Sequence, residues 1–214
     1  MCSSDLACRE ISAAPEAAIL DELKSIEALN GRFLVFGDPA YPEPLAQVPD
    51  APPVLTAVGD LALIARPILA IVGARDASAA GQRFAEHLAK ALGAAGFVIA
   101  SGLARGIDAA AHRAALPTGT VAVLAGGADQ IYPPQNAALH REIAARGLIL
   151  AESSAGVAPV ARAFPRRNRI VSGLARGVVV IEAAERSGSL ITARRAADQG
   201  RDVDRKSTRL NSSH

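Results

Sequence analysis

Glycine-rich turns that follow short apolar runs constrain the fold of this chain more than any other feature. Three of them occur, at Gly73-Ala74-Arg75, at residues 101–108 and at residues 126–129. Glycine lets the backbone turn sharply and leaves no Cβ between main-chain N–H groups and a ligand. Each turn precedes a predicted helix, and the N-terminus of a helix favours an anion. The series therefore predicts a phosphate-binding edge along a sheet.

A regular alternation of strands and helices begins near residue 68. Strands are predicted at residues 68–72, 97–100, 120–124, 148–151 and 178–182, and helices at residues 79–95, 106–115, 135–145 and 190–199. Strands that alternate with helices are typical of a parallel sheet covered on both faces. The sequence therefore predicts an α/β fold of the extended Rossmann-like type, with a mostly parallel sheet.

The same patterns divide the chain into a core, a lead-in region and two ends. Residues 67–203 are predicted to form the Rossmann-like core, truncated at its C-terminal side, and residues 11–66 to lead into it. The lead-in region is predicted to contain one helix and two strands, at residues 15–29, 32–36 and 54–58. Residues 1–10 and 204–214 resemble translated sequencing-adaptor sequence, so we expect artificial or disordered ends on a gene fragment.

Composition favours a globular protein and excludes several kinds of site. Hydrophobic residues make up 50% of the chain and charged residues 21%, with no membrane-spanning apolar run and no secretory signal pattern. A cytoplasmic location without a membrane partner is expected. Both cysteines lie in the first eight residues, so neither a disulfide framework nor a zinc site is predicted. The four histidines are scattered, and no metal, cofactor or catalytic role is assigned to them.

The glycine turns lack the patterns of common nucleotide-binding proteins. Neither Gly73 nor Gly102 begins a G-x-G-x-x-G fingerprint, and no G-x-x-x-x-G-K-[ST] phosphate loop occurs. Residues 187–192 contain three hydroxyl side chains near the start of a predicted helix. N-capping explains one of these hydroxyls and leaves the other two without a role. Asp108 is interpreted as complementing a helix dipole. The sequence shows no nucleophile–base pair among Asp108, Asp129 and Glu182. These residues favour binding of a phosphorylated molecule over catalysis.

Arginines are concentrated between residues 162 and 176, where no acidic residue occurs. They are Arg162, Arg166, Arg167, Arg169 and Arg176. The guanidinium group is suited to bidentate contact with phosphate oxygens. Charge alone leaves both a solvated helix face and a phosphate-binding wall open.

Several motifs, taken in order, resemble the DNA-processing protein A family (DprA/Smf) from about residue 33 to residue 203. They include Ile71-Val72-Gly73-Ala74-Arg75, Ser101-Gly102-Leu103-Ala104-Arg105-Gly106-Ile107-Asp108, Gly126-Gly127-Ala128-Asp129, Phe164-Pro165-Arg166-Arg167-Asn168-Arg169 and Ser187-Gly188-Ser189-Leu190-Ile191-Thr192. The resemblance implies a Rossmann-like domain that binds single-stranded DNA and forms a homodimer. It also implies help in loading the RecA recombinase on DNA in homologous recombination during natural transformation, without catalytic turnover.

The resemblance also implies which residues contact DNA. Arg75 is expected to bind a phosphate beside the N–H groups of Gly73 and Ala74, at a position where the family often has Ser. Arg167, Asn168 and Arg169 are expected to border the same pocket, with Phe164 in a turn before them. The remaining residues assigned to DNA binding are Ser101, Gly102, Gly106, Gly126, Gly127, Ser187, Gly188 and Thr192.

Binding through backbone phosphates predicts affinity that is independent of base sequence and sensitive to salt. With five Phe, two Tyr and no Trp, extensive base stacking is not expected, although Phe164 or Tyr132 could stack on a few bases. One alternative is a phosphoribohydrolase-type enzyme acting on nucleoside monophosphates, for which Glu182 is the candidate residue. Its Pro-Gly-Gly-x-Gly-Thr-x-x-Glu signature is lacking here. A nucleotide-sensing module that recruits a partner is the third hypothesis.

Overall fold

The strands and helices of the chain follow the predicted alternation closely in the computed structural model, which describes residues 14–183 and 187–206. The helices are α1 (Glu16–Ala28), α2 (Glu43–Ala46), α3 (Ala79–Ala94), α4 (Ile107–Ala115), α5 (Ala137–Arg146), α6 (Ala163–Leu174) and α7 (Gly188–Asp198). The strands are β1 (Gly31–Val35), β2 (Val54–Gly59), β3 (Ile68–Gly73), β4 (Val98–Ser101), β5 (Thr120–Leu124), β6 (Leu148–Ala151), β7 (Gly177–Ile181) and β8 (Asp202–Lys206). Short 3-10 turns lie at Leu61–Ala65 and Pro134–Asn136.

The strands form one sheet in the order β1-β2-β6-β5-β4-β3-β7-β8. The pairs β1–β2 and β2–β6 are antiparallel, and the other neighbours are parallel. The predicted α/β fold with a mostly parallel sheet is therefore confirmed. From β3 the chain proceeds through β4, β5 and β6 on one side and then returns to place β7 on the other side. Ligands of open α/β sheets bind at such a reversal point, beyond the carboxyl ends of the strands.

Alternate side chains of the central strands enter two separate core layers. In β5, Val121 and Val123 belong to one layer, whereas Ala122 and Leu124 belong to the other. Helices α2, α6 and α7 close the first layer, and α3, α4 and α5 close the opposite face. Because both faces are covered, these strands are mostly apolar, with Ser101 in β4 and Thr120 in β5 as exceptions, which explains why their bounds were predictable from short apolar runs.

The arginine-rich segment forms helix α6, and two of its arginines are buried. Phe164 and Pro165 lie in its first turn, where a proline is tolerated because its missing N–H has no helical partner. Phe164 and Pro165 thus precede Arg167, and the turn that they were predicted to shape is the first turn of a helix. A wholly solvated helix face is excluded, since Arg167 and Arg169 are each only 7% exposed.

The two ends differ in how much of them the structure describes. Strand β8 pairs in parallel with β7 over Asp202–Lys206, so the sheet includes the first three residues of the predicted tail. Residues 1–13 and 207–214 lie outside the described residues, and their predicted origin stays a prediction. Within the described part of the chain, no helix is long and apolar enough to cross a membrane.

Candidate nucleic-acid interface

A cavity of about 840 Å³ opens at the carboxyl ends of β3 and β7, where the strand order reverses. The loop after β3, the first turn of α6 and the first turn of α7 form its walls, together with Tyr132 and Pro159. Nine of the predicted site residues line it: Gly73, Ala74, Arg75, Phe164, Arg167, Asn168, Ser187, Gly188 and Thr192. The fold thus brings together three segments that are distant in the sequence.

Arg75 is the exposed cation of this cavity. Its guanidinium carbon lies 5.4 Å from the centre of the Phe164 ring, a cation–π distance that holds the charge over the opening. The next residue, Asp76, is 3.4 Å from Arg105. Among the described residues no carboxylate forms an ion pair with Arg75. Its charge is therefore available to an anion.

The N-terminus of α7 faces the same cavity. Ser187, Gly188 and Ser189 all line it, and the Ser187 and Ser189 hydroxyl oxygens are 2.8 Å apart. Neither hydroxyl caps the helix in the predicted manner, because the Ser187 side chain makes no capping hydrogen bond. Asn168 Nδ2 donates to the Gly188 carbonyl at 3.1 Å and so joins α6 to this turn. The positive end of the α7 dipole is thus directed into the cavity beside Arg75.

Arg167 binds backbone carbonyls of the neighbouring loops. Its Nη1 donates to Gly102 O at 2.6 Å and to Val123 O. Burial lowers the pKa of Arg167 to about 10, an effect that nearby Asp108 opposes and Arg75 reinforces. A Cβ on residue 102 would lie 2.6 Å from the Arg167 Cζ, so Gly102 makes room for this side chain. Arg167 borders the cavity and at the same time connects α6 to the ends of β4 and β5.

Asp108 provides a buried negative charge beside Arg167. Its Oδ2 accepts hydrogen bonds from the Gly102 and Ala104 N–H groups, at 3.2 and 3.3 Å. Burial raises the pKa of Asp108, while Arg167 and these hydrogen bonds act in the opposite direction. Asp108 lies in the first turn of α4, as the helix-dipole interpretation requires, and it also organises the loop after β4. Its interaction with Arg167 leaves Arg75 as the exposed positive charge at the cavity.

Several predicted site residues do not line this cavity. Gly102 lines a smaller neighbouring cavity of about 240 Å³. Ser101 is buried, and its Oγ donates to Ile71 O at 2.6 Å. Gly106, with φ of +71°, leaves no room for a Cβ against the Ala74 carbonyl, and Gly126 and Gly127 pack against the backbone of residues 154–159.

One predicted donor needs correction, because the Ala74 N–H is already occupied. It donates to Ile181 O at 3.2 Å, where β3 pairs with β7. The Ala74 residue lines the cavity, but its amide is not free for a phosphate. The Ala74 N–H is therefore removed from the candidate anion donors, whereas Arg75 and the first turn of α7 stay among them.

Arg169 lies away from the cavity, in a buried ion-pair cluster. Its Nη2 is 2.7 Å from Glu152 Oε1 and its Nε is 3.6 Å from Asp50 Oδ2. These contacts connect α6 to the end of β6 and to the lead-in region. The structure thus separates Arg169 from Arg75 and Asn168, with which the sequence analysis had grouped it.

Glu182 holds Ser78, the N-cap residue of α3. Its carboxylate accepts hydrogen bonds from the Ser78 N–H at 2.8 Å and from the Ser78 hydroxyl, at the start of α3. It is not among the residues that line the cavity. In the described ranges no group of three or more metal-ligating side chains occurs.

The sequence analysis missed Pro159, Ala161 and Ile191 as lining residues. Pro159 and Ala161 belong to an irregular segment without a glycine motif, and no local pattern indicates that it folds over the cavity. Ile191 lies within the predicted hydroxyl segment, and its position near the start of a helix is the signal that could have indicated it.

A model of the family described as DNA recombination-mediator protein A matches residues 32–214. The chain belongs to this family. Protein Smf of Synechocystis sp. is 46% identical over 187 residues, which are 85% of this chain and 47% of that protein. DNA processing protein DprA of Streptococcus pneumoniae is 46% identical over 168 residues, 78% of this chain and 59% of that protein. The family predicted from the motifs is therefore confirmed, and the chain spans about half the length of these curated relatives.

Solved structures of family members have the same fold. The X-ray structure of DNA processing protein A from S. pneumoniae has a TM-score of 0.84 at 40% identity and covers 92% of this chain and 69% of its own. The Helicobacter pylori protein has a TM-score of 0.78 at 33% identity, with 85% and 84% covered. That structure is described as giving insight into the single-stranded DNA binding mode of the H. pylori protein.

Proposed function

We propose that this chain binds single-stranded DNA as the Rossmann-like part of a DNA-processing protein, without catalysing a reaction. The observation that carries the proposal is the exposed Arg75, held on Phe164 and facing the N-terminus of α7 across a cavity of about 840 Å³. Relatives named DNA processing protein DprA in S. pneumoniae and Bacillus subtilis support the processing role. The H. pylori structure supports the single-stranded substrate.

A backbone phosphate is bound between Arg75 and the first turn of α7 in this proposal. The guanidinium supplies charge-assisted hydrogen bonds, and the N–H groups of Gly188 and Ser189 have no partner within the helix. Arg167 donates to backbone carbonyls and Asp108 accepts from backbone N–H groups, so both support the floor of the cavity in this proposal. Contacts of this kind carry little base-sequence information, so affinity depends on salt more than on sequence.

The wider role follows the family and is part of the same proposal. We expect the whole protein to act in the cytoplasm as a homodimer and to help load RecA on incoming DNA in homologous recombination during natural transformation. None of the described contacts identifies the dimer surface or the RecA-binding surface. These partners are therefore tested apart from DNA binding, by co-purification and by assays of RecA filament formation.

The central experiment compares a mixed-sequence single-stranded oligonucleotide with duplex DNA and with AMP. We expect the single strand to bind tightest and to weaken as salt rises from about 50 to about 200 mM. Arg75→Ala is expected to weaken single-strand binding about 10- to 100-fold, because charge-assisted hydrogen bonds contribute about 1.5–3 kcal/mol. The slope of log K against log salt should fall by about 0.7 for one lost phosphate contact.

Arg146→Ala is the matched control, because it removes the same charge from the exposed last turn of α5. Its oligonucleotide affinity should equal that of the unmodified chain. If both variants lose the same affinity, the effect of Arg75→Ala is explained by net charge alone, and the proposed contact is contradicted. Base release from AMP that Glu182→Gln abolishes would favour the enzyme hypothesis, and AMP binding without oligonucleotide binding would favour the sensing module.

A further inference from the structure

Beside the cavity lies a surface of exposed apolar side chains that the proposed phosphate contacts do not use. We call it the apolar rim and define it by Ile131, Tyr132, Val157 and Val160, which are 37, 47, 48 and 52% exposed. Large apolar side chains exposed together mark an interaction site more often than scattered ones do.

The backbone hydrogen bonds of the rim join its two loops into one surface. Gly127 N–H donates to Val157 O at 2.9 Å, and Gly156 N–H donates to the Asp129 carboxylate at 2.9 Å. Ala163 N–H donates to Val160 O at 2.8 Å and connects the second loop to the start of α6. These hydrogen bonds therefore fix the position of the segment that carries the two valines relative to the cavity.

The rim is continuous with the cavity. Pro159, which lies between the two valines in sequence, lines the cavity, and so does Tyr132. The Tyr132 ring is also 5.5 Å from the Phe164 ring, on which Arg75 is held. A chain of nucleotides bound at Arg75 is thus adjacent to the rim.

Charge is distributed unequally around the opening. Residues 130–137 and 153–161 contain no charged side chain, and Asp129 and exposed Arg162 flank them. Arg75 is exposed in the loop after β3, whereas Arg105 in the loop after β4 pairs with Asp76. A nucleic-acid strand has a charged backbone and bases with apolar faces. With its phosphates on the arginine side, its bases lie on the uncharged side, where desolvating them against valine and tyrosine is favourable.

We propose that the apolar rim contacts unpaired nucleobases outside the cavity and thereby makes the chain selective for single-stranded over duplex DNA. This inference rests on the proposed function. Bases in a duplex are stacked and paired in its interior, so a duplex presents mainly phosphates to the rim. Apolar contact is tolerant of base type, because every base has a π-face. The rim therefore adds affinity that is independent of base sequence and of salt.

The test uses the double variant Val157→Ser/Val160→Ser and three probes of equal length: a mixed-sequence single strand, an abasic single strand and a duplex. We expect the variant to bind the mixed-sequence strand about tenfold more weakly, because it loses the apolar side-chain surface that the bases would cover. Its affinities for the abasic strand and the duplex should not change, nor should its salt slope. Ile19→Ser/Leu23→Ser is the matched control, because these α1 side chains are 49 and 45% exposed.

The proposal is overturned if the variant binds the mixed-sequence strand as the unmodified chain does, which a protein-docking role of the rim would produce. It is also overturned if abasic binding weakens equally. A thermal melt of each variant confirms folding, and the single variant Val160→Ser serves if the double variant is unstable. Failure of the unmodified chain to bind any strand would instead contradict the proposed function. If the rim variant binds normally while Arg75→Ala still weakens binding, this inference alone is contradicted.

Discussion

The loop after β3 and helix α6 both carry arginines assigned to DNA from the sequence, yet the structure uses them differently. Arg75 is exposed, rests on an aromatic ring and has no carboxylate partner among the described residues. Arg167 and Arg169 are buried, and their guanidinium groups bind carbonyls and carboxylates of this chain. Of these three arginines, Arg75 is therefore available to a ligand, whereas Arg167 and Arg169 connect parts of the fold.

The difference shows that partners, not residue type, decide what an arginine does. A buried guanidinium that has lost its hydration must donate hydrogen bonds to acceptors of the protein. Its N–H groups are then not available to a phosphate. Arg75 keeps its hydration and exchanges water and counterions for a phosphate at little cost. The comparison predicts that variants on the two elements fail in different assays.

The largest expected effect is on stability, at Arg169. Arg169→Ala removes a guanidinium that is 9% exposed from Glu152 and Asp50, which keep contacts to Arg166 and Arg195. We therefore expect the free energy of unfolding to fall by about 3 kcal/mol, the low end for a broken buried ion pair. Denaturant unfolding measures this. Arg166→Ala is the control, because Arg166 contacts the same Glu152 oxygen with its side chain 67% exposed, and its loss should cost at most about 1 kcal/mol. If Arg169→Ala weakens DNA binding and leaves the free energy of unfolding unchanged, Arg169 contacts DNA and this prediction is wrong.

A smaller effect is expected from acid, through His112 beneath the loop after β4. Burial lowers the pKa of His112 to about 3 from the usual 6.5. As pH falls below about 6.5, the unfolded chain takes up a proton that the folded chain refuses, so stability falls by up to about 1.4 kcal/mol per pH unit. This loss continues down to the folded-state pKa. Protonation of buried Asp108, whose pKa is raised, works in the opposite direction.

The comparison of His112→Gln with the unmodified chain isolates the histidine contribution. Unfolding free energies measured at several values between about pH 7 and pH 4.5 should fall less steeply in the variant. Parallel curves would mean that His112 titrates as an exposed histidine does, and the interpretation of this buried region would then be wrong.

The smallest expected effect is at Ser101, which the sequence analysis assigned to DNA. Its Oγ donates to Ile71 O in the buried sheet, so Ser101→Ala should lower the unfolding free energy by about 1 kcal/mol. Oligonucleotide affinity, measured by titration, should stay unchanged once the variant is folded. A loss of affinity with unchanged stability would bring Ser101 into the DNA-contacting group with Arg75.

Much of the fold was predictable because its signals are local. The bounds of β5 and β6 match the predicted residues 120–124 and 148–151, since both strands are short apolar runs bounded by polar residues or glycine. Helix α6 was left open, because Arg167 and Arg169 occupy positions where a helix packed on a sheet normally has apolar residues. Their burial depends on acceptors that only the folded chain supplies.

The sequence by itself determined the family, the alternation of strands and helices, and the edge of the sheet at which we propose a phosphate site. These properties depend on glycine turns and apolar periods that act over a few residues. Only the tertiary structure decided which arginine is available, that the Ala74 amide is occupied and that Glu182 binds Ser78 at the start of α3. Each of these depends on partners brought from distant segments, because hydrogen bonds and ion pairs form between neighbours in space, whatever their separation along the chain.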